Sequence, residues 1–226
     1  MKTKCISIIF GIITGSLLLS SCIGTSDYYR YRITVNVETP EGLVSGTAVR
    51  EIQYRTRPFA IIQKGEAVIV EMPTEKTLYV LMEIDTRDLH FATFYWNDFS
   101  KAKNDSSYKR KDFNELLKEA CNDKRLIAFP SFKEMEERNV DYPRGAILEN
   151  DSDPLSARAV SLMDLGSSFG EGYELRDITI QMTDDPVTET IEGRFDWLDT
   201  SILYTPLDPR ENTPQMPLYH HNFKQN

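Results

Sequence analysis

Residues 29–54 read YRYRITVNVETPEGLVSGTAVREIQY, and this stretch decides the fold. Over residues 29–37, tyrosine, isoleucine and valine occupy the odd positions, while arginine, threonine and asparagine occupy the even ones. This period of two predicts a β-strand with one buried face. The sequence TPEG at residues 39–42 predicts a turn, because proline presets φ and glycine tolerates positive φ. An extended pattern resumes over residues 44–54, so the stretch predicts an antiparallel hairpin.

Two irregularities interrupt the strand patterns. Gly46 lies inside the second strand of the hairpin, where glycine indicates a bulge or a close approach of another backbone. A later strand is predicted over residues 173–183, and its apolar side chains change parity partway along. Tyr173 and Leu175 share one parity, whereas the apolar residues from Ile178 onward share the other. This slip predicts a β-bulge in the later strand.

Shorter apolar stretches predict the remaining elements. Further strands are predicted over residues 59–62, 67–70, 78–84, 126–129 and 157–161, with a turn at Lys64-Gly65 between the first two. Short helices are predicted over residues 112–119 and 162–168, whereas residues 133–153 are polar and predict no regular structure. Short connections favour antiparallel pairing. The predicted fold class is therefore α+β and predominantly β, an antiparallel sheet or sandwich of about seven strands with one or two short helices.

Composition sets the broad class of the protein. The chain has 226 residues, of which 40% are hydrophobic and 27% charged, and this balance is typical of a globular protein. The length favours a single domain. The formal net charge is −9. A nucleic-acid-binding protein usually carries a basic surface that neutralises phosphates, so the charge argues against that class.

The first 21 residues have the pattern of a secretory signal peptide. Lys2 and Lys4 precede an apolar run over residues 6–19, and small residues follow it. The run is about 14 residues long, shorter than the roughly 20 residues that a membrane-spanning helix needs. Residues 1–21 are therefore predicted to direct export and to be removed.

The sequence Leu19-Ser20-Ser21-Cys22 resembles the lipobox of bacterial lipoproteins. The resemblance implies that the Cys22 thiol takes a diacylglyceryl group and that its freed amine takes a further acyl chain, such as palmitate. Two or three acyl chains anchor a protein firmly to a membrane. An aspartate after the lipidated cysteine tends to retain proteobacterial lipoproteins in the inner membrane, and here Ile23 follows. The outer membrane, facing the periplasm, is the expected location.

Processing divides the chain into four parts. These are the signal peptide at residues 1–21, the lipidated Cys22 and tether at 22–28, a single β-rich domain at 29–204, and a Pro-rich polar tail at 205–226 that is expected to be poorly ordered or draped on the surface. Cleavage removes Cys5 and the two lysines, so the net charge falls from −9 to −11. Cys121 remains as the free thiol. It follows an apolar helical pattern, which predicts a buried and inert side chain. A thiol that links to a partner is the alternative.

One stretch matches a catalytic motif. Residues 166–170 fit the G-x-S-x-G pattern with Ser168 at its centre, and His220 and His221 follow in the order of α/β-hydrolases. That mechanism requires a strand, a sharp turn at the serine and then a helix. Here a helical pattern precedes Ser168 and a strand follows it. The stretch therefore predicts a helix end with Gly170 and Gly172 at positive φ, and no catalytic residue is assigned.

Candidate metal ligands do not assemble into a site in the sequence. His90 lies beside an aromatic run at residues 91–99 that is typical of a core, and adjacent His220 and His221 point apart on a regular backbone. Residues 150–153 resemble the opening of a calcium loop but lack its glycine and its final glutamate. Asp153-Pro154 and Asp184-Asp185-Pro186 predict turns. No metal or cofactor is expected.

Several stretches resemble a family of uncharacterised proteobacterial envelope lipoproteins. They cover residues 31–46, 153–154, 169–172, 183–188 and 197–198. The resemblance carries no assigned activity, so no functional residue is taken from it. The expected function is a lipid-anchored envelope lipoprotein that binds or scaffolds an unknown envelope protein or ligand. The alternatives are an envelope serine hydrolase using Ser168 and a component of an envelope or secretion assembly.

Overall fold

The computed structural model describes residues 26–56, 59–82, 121–122, 124, 126–129, 143–153, 156–195, 197–198 and 223–225. Several sequence predictions lie outside these residues. They concern the signal peptide, the lipidation site Cys22, the helix at residues 112–119, the aromatic run at 91–99, and the histidines His90, His220 and His221.

The described residues form two antiparallel β-sheets. The strands are β1 Ser26–Thr39, β2 Gly42–Thr56, β3 Phe59–Glu66, β4 Val68–Glu71, β5 Thr77–Val80, β6 Leu126–Ala128, β7 Gly145–Leu148, β8 Ala157–Val160, β9 Glu174–Met182 and β10 Lys224–Gln225. One sheet has the order β10-β3-β2-β1-β9-β6 and the other the order β4-β5-β7-β8. The helical elements are α1 Gly166–Phe169 and a 3-10 helix Ile191–Gly193. The predominantly β, α+β fold class is confirmed.

The long hairpin of β1 and β2 forms the centre of the larger sheet. Its register runs from Thr39 opposite Gly42 to Ser26 opposite Arg55. The Thr39 hydroxyl donates a hydrogen bond to the Gly42 carbonyl at 2.7 Å and closes the turn. The odd residues of β1 from Tyr31 to Val37 are buried, as the alternation predicts. The same alternation on β2 places its even-numbered residues on the buried face of the larger sheet.

Two hydrophobic cores lie on opposite faces of the smaller sheet. The first core fills the space between the sheets with mainly aliphatic side chains, including Ile33, Val35, Val70, Leu78, Val80, Ile147, Ile178 and Ile180. The second core covers the other face with a largely aromatic set, including Tyr79, Leu81, Leu148, Ile191, Phe195, Trp197, Leu198 and Phe223. The smaller sheet is therefore buried on both faces, which explains why every residue of β5 and β7 is buried.

Gly46 marks the place where β2 passes closest to β4. A Cβ atom built at this position would lie 2.1 Å from the Ile69 carbonyl oxygen. That separation is far below van der Waals contact, so only the glycine hydrogen fits between the two backbones. The predicted close approach is confirmed.

The predicted bulge in β9 is also present. Asn36 pairs with Asp177, whereas the next β1 residue, Val37, pairs with Leu175. Arg176 is thus the extra residue of β9. The bulge returns Leu175 and Ile178 to the same side of the sheet although their positions differ in parity, because the inserted residue shifts the pleat by one.

The turn predicted at Lys64-Gly65 is wrong. Both residues lie inside β3, and the chain instead leaves the larger sheet at Ala67 before β4 begins in the smaller one. Gly65 has a φ of +133°, and a Cβ there would lie 2.9 Å from Cγ of Arg50. The glycine serves a strand that packs closely over a buried arginine, rather than a turn.

Three further predictions need correction. Residues 133–153 contain the regular strand β7, whose apolar run of Ala146, Ile147 and Leu148 is too short to reveal a period. The tail predicted on the surface contributes Phe223 to the second core and β10 to the larger sheet. The helix predicted over residues 162–168 is reduced to the single turn α1, and β8 and β6 fall where they were predicted.

Candidate functional site

A cavity of about 300 Å³ lies beside the first residues of β1. Its lining consists of Tyr28, Tyr29, Arg30, Cys121, Lys124, Met182, Thr183 and Asp184. The pairing of β1 with β9 places Tyr31 opposite Met182, and the Thr183 amide donates to the Arg30 carbonyl at 3.0 Å. The volume is at the lower end of the range for small-molecule pockets. The cavity is therefore the candidate binding site of the described part of the chain.

An ion pair fixes one side of the cavity. The Lys124 ammonium contacts the Asp184 carboxylate, which holds the pKa of Asp184 below its ordinary value and raises the pKa of Lys124. The Gln181 side-chain amide donates to the Lys124 carbonyl at 2.8 Å. Lys124 has a φ of 45°, and it is the one non-glycine residue among those described with positive φ. Such a backbone persists only where its surroundings hold it.

Arg30 supplies the other cation of the lining. Its Nε donates to Glu51 Oε2 at 2.8 Å, and its guanidinium lies 5.7 Å from the centroid of the Tyr28 ring. The carboxylate and the ring together orient the arginine along the cavity. The tyrosines and Met182 provide apolar contact area beside the charged groups. The lining therefore offers stacking faces together with hydrogen-bonding groups.

Cys121 borders the cavity and is half-buried, so the predicted full burial is wrong. It packs against the edge of the first core. Burial, and to a smaller extent the Asp184 carboxylate, raises the pKa of its thiol. A thiol with a raised pKa is protonated at neutral pH and is a weak nucleophile, because the thiolate is the reactive form.

Ser168 lies in α1 and not at a strand-to-helix turn. Its amide donates to the Leu165 carbonyl at 3.0 Å, and its own carbonyl accepts a hydrogen bond from Lys76 Nζ at 2.7 Å. The nearby carboxylate of Asp164 bonds Ser167 instead. The predicted positive φ is present at Gly170 (116°) and Gly172 (86°). The local geometry is that of a helix end.

The polar side chains of the two acidic turns, at residues 150–153 and 184–186, bond to other groups of the protein. In the turn at residues 150–153, the Ser152 amide donates to Asn150 Oδ1 at 3.0 Å. The Asp151 carboxylate accepts from Arg194 Nε at 2.8 Å. In the later turn, Asp184 contacts Lys124 and Asp185 contacts Arg32, so these carboxylates bond cations rather than the local backbone. Among the described residues no group of acidic, histidine or cysteine side chains is arranged to hold a metal ion.

Sequence patterns missed a buried polar cluster between the cores. Arg50 is 1% exposed, and its Nε donates to the Glu66 carbonyl at 3.0 Å. The Glu66 carboxylate is equally buried and accepts hydrogen bonds from the amides of Thr190 at 2.7 Å and Ile191 at 2.9 Å. The sequence did contain a signal for this cluster. Arg50 alternates with Ala48 and Ile52 along β2, so the strand pattern places it on the inward face.

Comparison with protein-family models, curated proteins and solved structures finds no match to this chain. The resemblance to envelope lipoproteins therefore stays a prediction from sequence. None of the helices in the described residues has the length and hydropathy needed to cross a bilayer.

Proposed function

We propose that this protein is a lipid-anchored lipoprotein of the bacterial cell envelope whose domain binds a small ligand or an envelope protein. The anchor is Cys22, and the proposed location is the outer membrane facing the periplasm. The signal-peptide pattern and the lipobox-like Leu19–Cys22 sequence support the anchor. The cavity at the start of β1 supports the binding role.

One observation supports the proposal most: the cavity lining begins six residues after Cys22, the proposed anchor. Tyr28 follows Cys22 by six residues (28 − 22), and an extended chain spans about 3.4 Å per residue. The cavity therefore stays within about 20 Å of the lipid. A site held at this distance meets molecules at the membrane surface, which suits a ligand released from or inserted into the envelope.

The lining favours an amphipathic ligand. Tyr28, Tyr29 and Met182 offer apolar surface, and the Arg30 and Lys124 side chains offer charged donors beside it. Aromatic side chains are enriched at binding sites because they combine a large apolar area with a polar group. The raised pKa leaves the Cys121 thiol a weak nucleophile, so the expected event is reversible association.

The anchor is tested by metabolic labelling with palmitate in a bacterial host. We expect the full chain to incorporate label and the Cys22→Ala variant to incorporate none. Cys5→Ala is the matched control, because Cys5 lies in the segment predicted to be cleaved and its loss should leave labelling unchanged. Equal labelling of the wild-type and Cys22→Ala chains would contradict the proposed anchor.

The binding role is tested through Cys121. In a chain that begins at Ile23, Cys121 is the sole cysteine, so its rate of reaction with a maleimide reports access to the cavity. Fractions of an envelope extract are added one at a time. At least one fraction should contain the ligand and slow this reaction at least threefold. The control is Cys121→Ser combined with Met163→Cys, since Met163 is 61% exposed and does not line the cavity. A slowing that is equal in the control, or absent from every fraction, argues against the site.

A further inference from the structure

The larger sheet has one end close to the proposed anchor and one end far from it. β1 begins at Ser26, and three residues (23–25) separate it from Cys22. Residues 26–32 of β1 with residues 49–55 of β2 form the anchor end, and residues 36–45 form the turn end. Tyr28 and Glu38 are ten residues apart (38 − 28), and a strand rises about 3.3 Å per residue, so they lie about 33 Å apart.

The anchor end exposes an amphipathic side chain beside a cation. Tyr28 is 63% exposed, and the Arg30 guanidinium lies 5.7 Å from the centroid of its ring. Tyrosine is enriched where a membrane meets water, because its ring is apolar and its hydroxyl is polar. Leu126 is 64% exposed on the same face, since it pairs with Gln181, and Gln181 pairs with Arg32. Apolar groups are therefore exposed on the side of the sheet nearest the anchor.

The charges at and beside the anchor end are balanced. They form three ion pairs, Arg30–Glu51, Arg32–Asp185 and Lys124–Asp184. Three cations balance three carboxylates, so these groups carry no net charge. A membrane surface that contains anionic lipid does not repel a neutral set of paired charges as it repels a set of carboxylates.

The turn end, with the β9 residues beside it, is acidic. Glu38 lies directly opposite Glu174 in the pairing of β1 with β9, and Glu41 is exposed in the turn. Arg176 contacts Glu38 at 3.4 Å and Asp177 at 3.7 Å, so one cation is shared by two carboxylates. An anionic lipid surface repels carboxylates within about 8 Å, the Debye length at physiological ionic strength. The turn end is therefore the less favourable end to bring against a membrane.

We propose that the anchor end rests on the lipid headgroups of the membrane, with the Tyr28 ring in the interfacial layer and the turn end pointing away from the bilayer. The proposal rests on the anchor proposed at Cys22 and adds the protein surface that contacts the lipid. At about 33 Å from Tyr28, the carboxylate of Glu38 lies well beyond the Debye length of the surface. Because Tyr28 and Arg30 also line the cavity, this orientation holds the cavity at the headgroups.

Fluorescence quenching from the bilayer tests this orientation. The full acylated chain with Cys121→Ser carries an environment-sensitive fluorophore on one new cysteine, in vesicles of phosphatidylethanolamine and phosphatidylglycerol. Gln53→Cys places the probe opposite Tyr28, and Leu43→Cys places it ten residues away (53 − 43) on the same strand. We expect lipids with a nitroxide headgroup to quench the probe at position 53 at least threefold more than the probe at position 43. Equal quenching at the two positions overturns the proposal.

The role of Tyr28 is tested in the chain that carries the probe at position 53. Tyr28→Ser should reduce quenching at least twofold, because serine lacks the ring that prefers the interface. Tyr28→Trp should preserve quenching, because tryptophan shares this interfacial preference. Leu43→Ser is the matched control, since Leu43 is 49% exposed at the turn end, and it should change nothing. Unchanged quenching in Tyr28→Ser overturns the proposed insertion of its ring.

Failure of the anchor gives a different result from failure of the orientation. If Cys22 is not acylated, the wild-type chain does not float with vesicles in a density gradient, which contradicts the anchor and the orientation together. Flotation with equal quenching at both positions leaves the anchor in place and overturns the orientation alone. If Gln53→Cys does not fold, Tyr28→Cys carries the probe at a 63% exposed position, and the same threefold difference from position 43 is expected.

Discussion

The two faces of the smaller sheet are covered by different means. Between the sheets, strands pack on strands, and the first core is built from aliphatic residues that alternate along β1, β2 and β9. On the outer face, the 3-10 helix, the residues that follow it (Phe195, Trp197 and Leu198) and Phe223 cover the strands, largely with rings. Aromatic side chains cover a large area each, so a few of them close a face without regular structure. The difference shows that both sides of the first core depend on strand periodicity, whereas only the sheet side of the second core does.

Polar groups are also placed differently in the two cores. The buried Arg50 lies beside Tyr31 of the first core, and burial raises the pKa of the Tyr31 hydroxyl while the guanidinium acts in the opposite direction. The second core keeps its charges at the margin, where Arg194 bonds Asp151 and lies 5.4 Å from the Tyr79 ring centroid. Changes inside the first core should therefore cost more stability than changes at this margin.

The largest effect is expected from Gly46→Ala, where the first core depends on contact between two backbones. A new Cβ would lie 2.1 Å from the Ile69 carbonyl oxygen, and backbone cannot rotate away as a side chain does. The free energy of unfolding should fall by about 4 kcal/mol or more, a loss reserved for core disruption. Gly193→Ala is the control, because a Cβ there has no neighbour within 4 Å. Similar unfolding curves for both variants would contradict this account.

A somewhat smaller loss is expected from Phe195→Ala in the second core. Phe195 stacks on Trp197 at 4.8 Å and contacts Tyr79 and Phe223. Removing a buried phenylalanine costs about 3–5 kcal/mol. In a background that carries Trp96→Phe, the fluorescence of Trp197 should shift to longer wavelength, whereas far-ultraviolet circular dichroism should keep the signal of the sheets. Collapse of the sheet signal together with the fluorescence would show that the two cores are one cooperative unit.

Arg50→Met tests the buried charge of the first core. The substitution leaves the carbonyls of Glu66 and Val80 without the hydrogen bonds that Arg50 donates, and a bond to a charged group contributes about 1.5–3 kcal/mol. Loss of the cation should also raise the pKa of Tyr31 further, which the difference between absorbance titrations with and without Tyr31→Phe detects among the eleven tyrosines. Arg32→Met is the control, since Arg32 bonds Asp185 at the surface and its loss should cost under about 1 kcal/mol. An unchanged tyrosine titration would show that Arg50 does not act on Tyr31.

The sequence predicted the first core better than the second for a physical reason. Alternation over residues 29–37 and the parity slip after Leu175 reflect a pleated strand against a core, and both appear in the structure. β7 is covered on both faces and only four residues long, so no alternation exists to detect. Phe223 is one aromatic residue in a polar tail, and its burial depends on partners far away in the sequence.

The cavity was beyond prediction from local pattern. Cys121 was identified as the remaining thiol, but its neighbours Tyr28 and Asp184 reach it through the pairing of β1 and β6 with β9. Lys124 has no distinguishing pattern around it. Pairing between distant strands is set by the whole fold, so the lining of a cavity between their ends leaves no local signal.

The smallest effect is expected from Arg194→Gln at the margin of the second core, where 28% of the side chain is exposed. Its contact holds the pKa of Glu71 below the ordinary value of 4.5. A carboxyl with a lowered folded pKa stabilises the protein above its unfolded pKa, and this stabilisation is lost as pH falls through the folded pKa. The free energy of unfolding of the variant should be about 1 kcal/mol below that of the wild type at pH 7. This difference should be smaller at pH 3. Denaturation at both pH values measures it, with Arg158→Gln, which removes a solvent-exposed pair with Glu149, as the control. If the difference in the free energy of unfolding is the same or larger at pH 3, then Arg194 stabilises the second core by packing on Tyr79 and not by its charge.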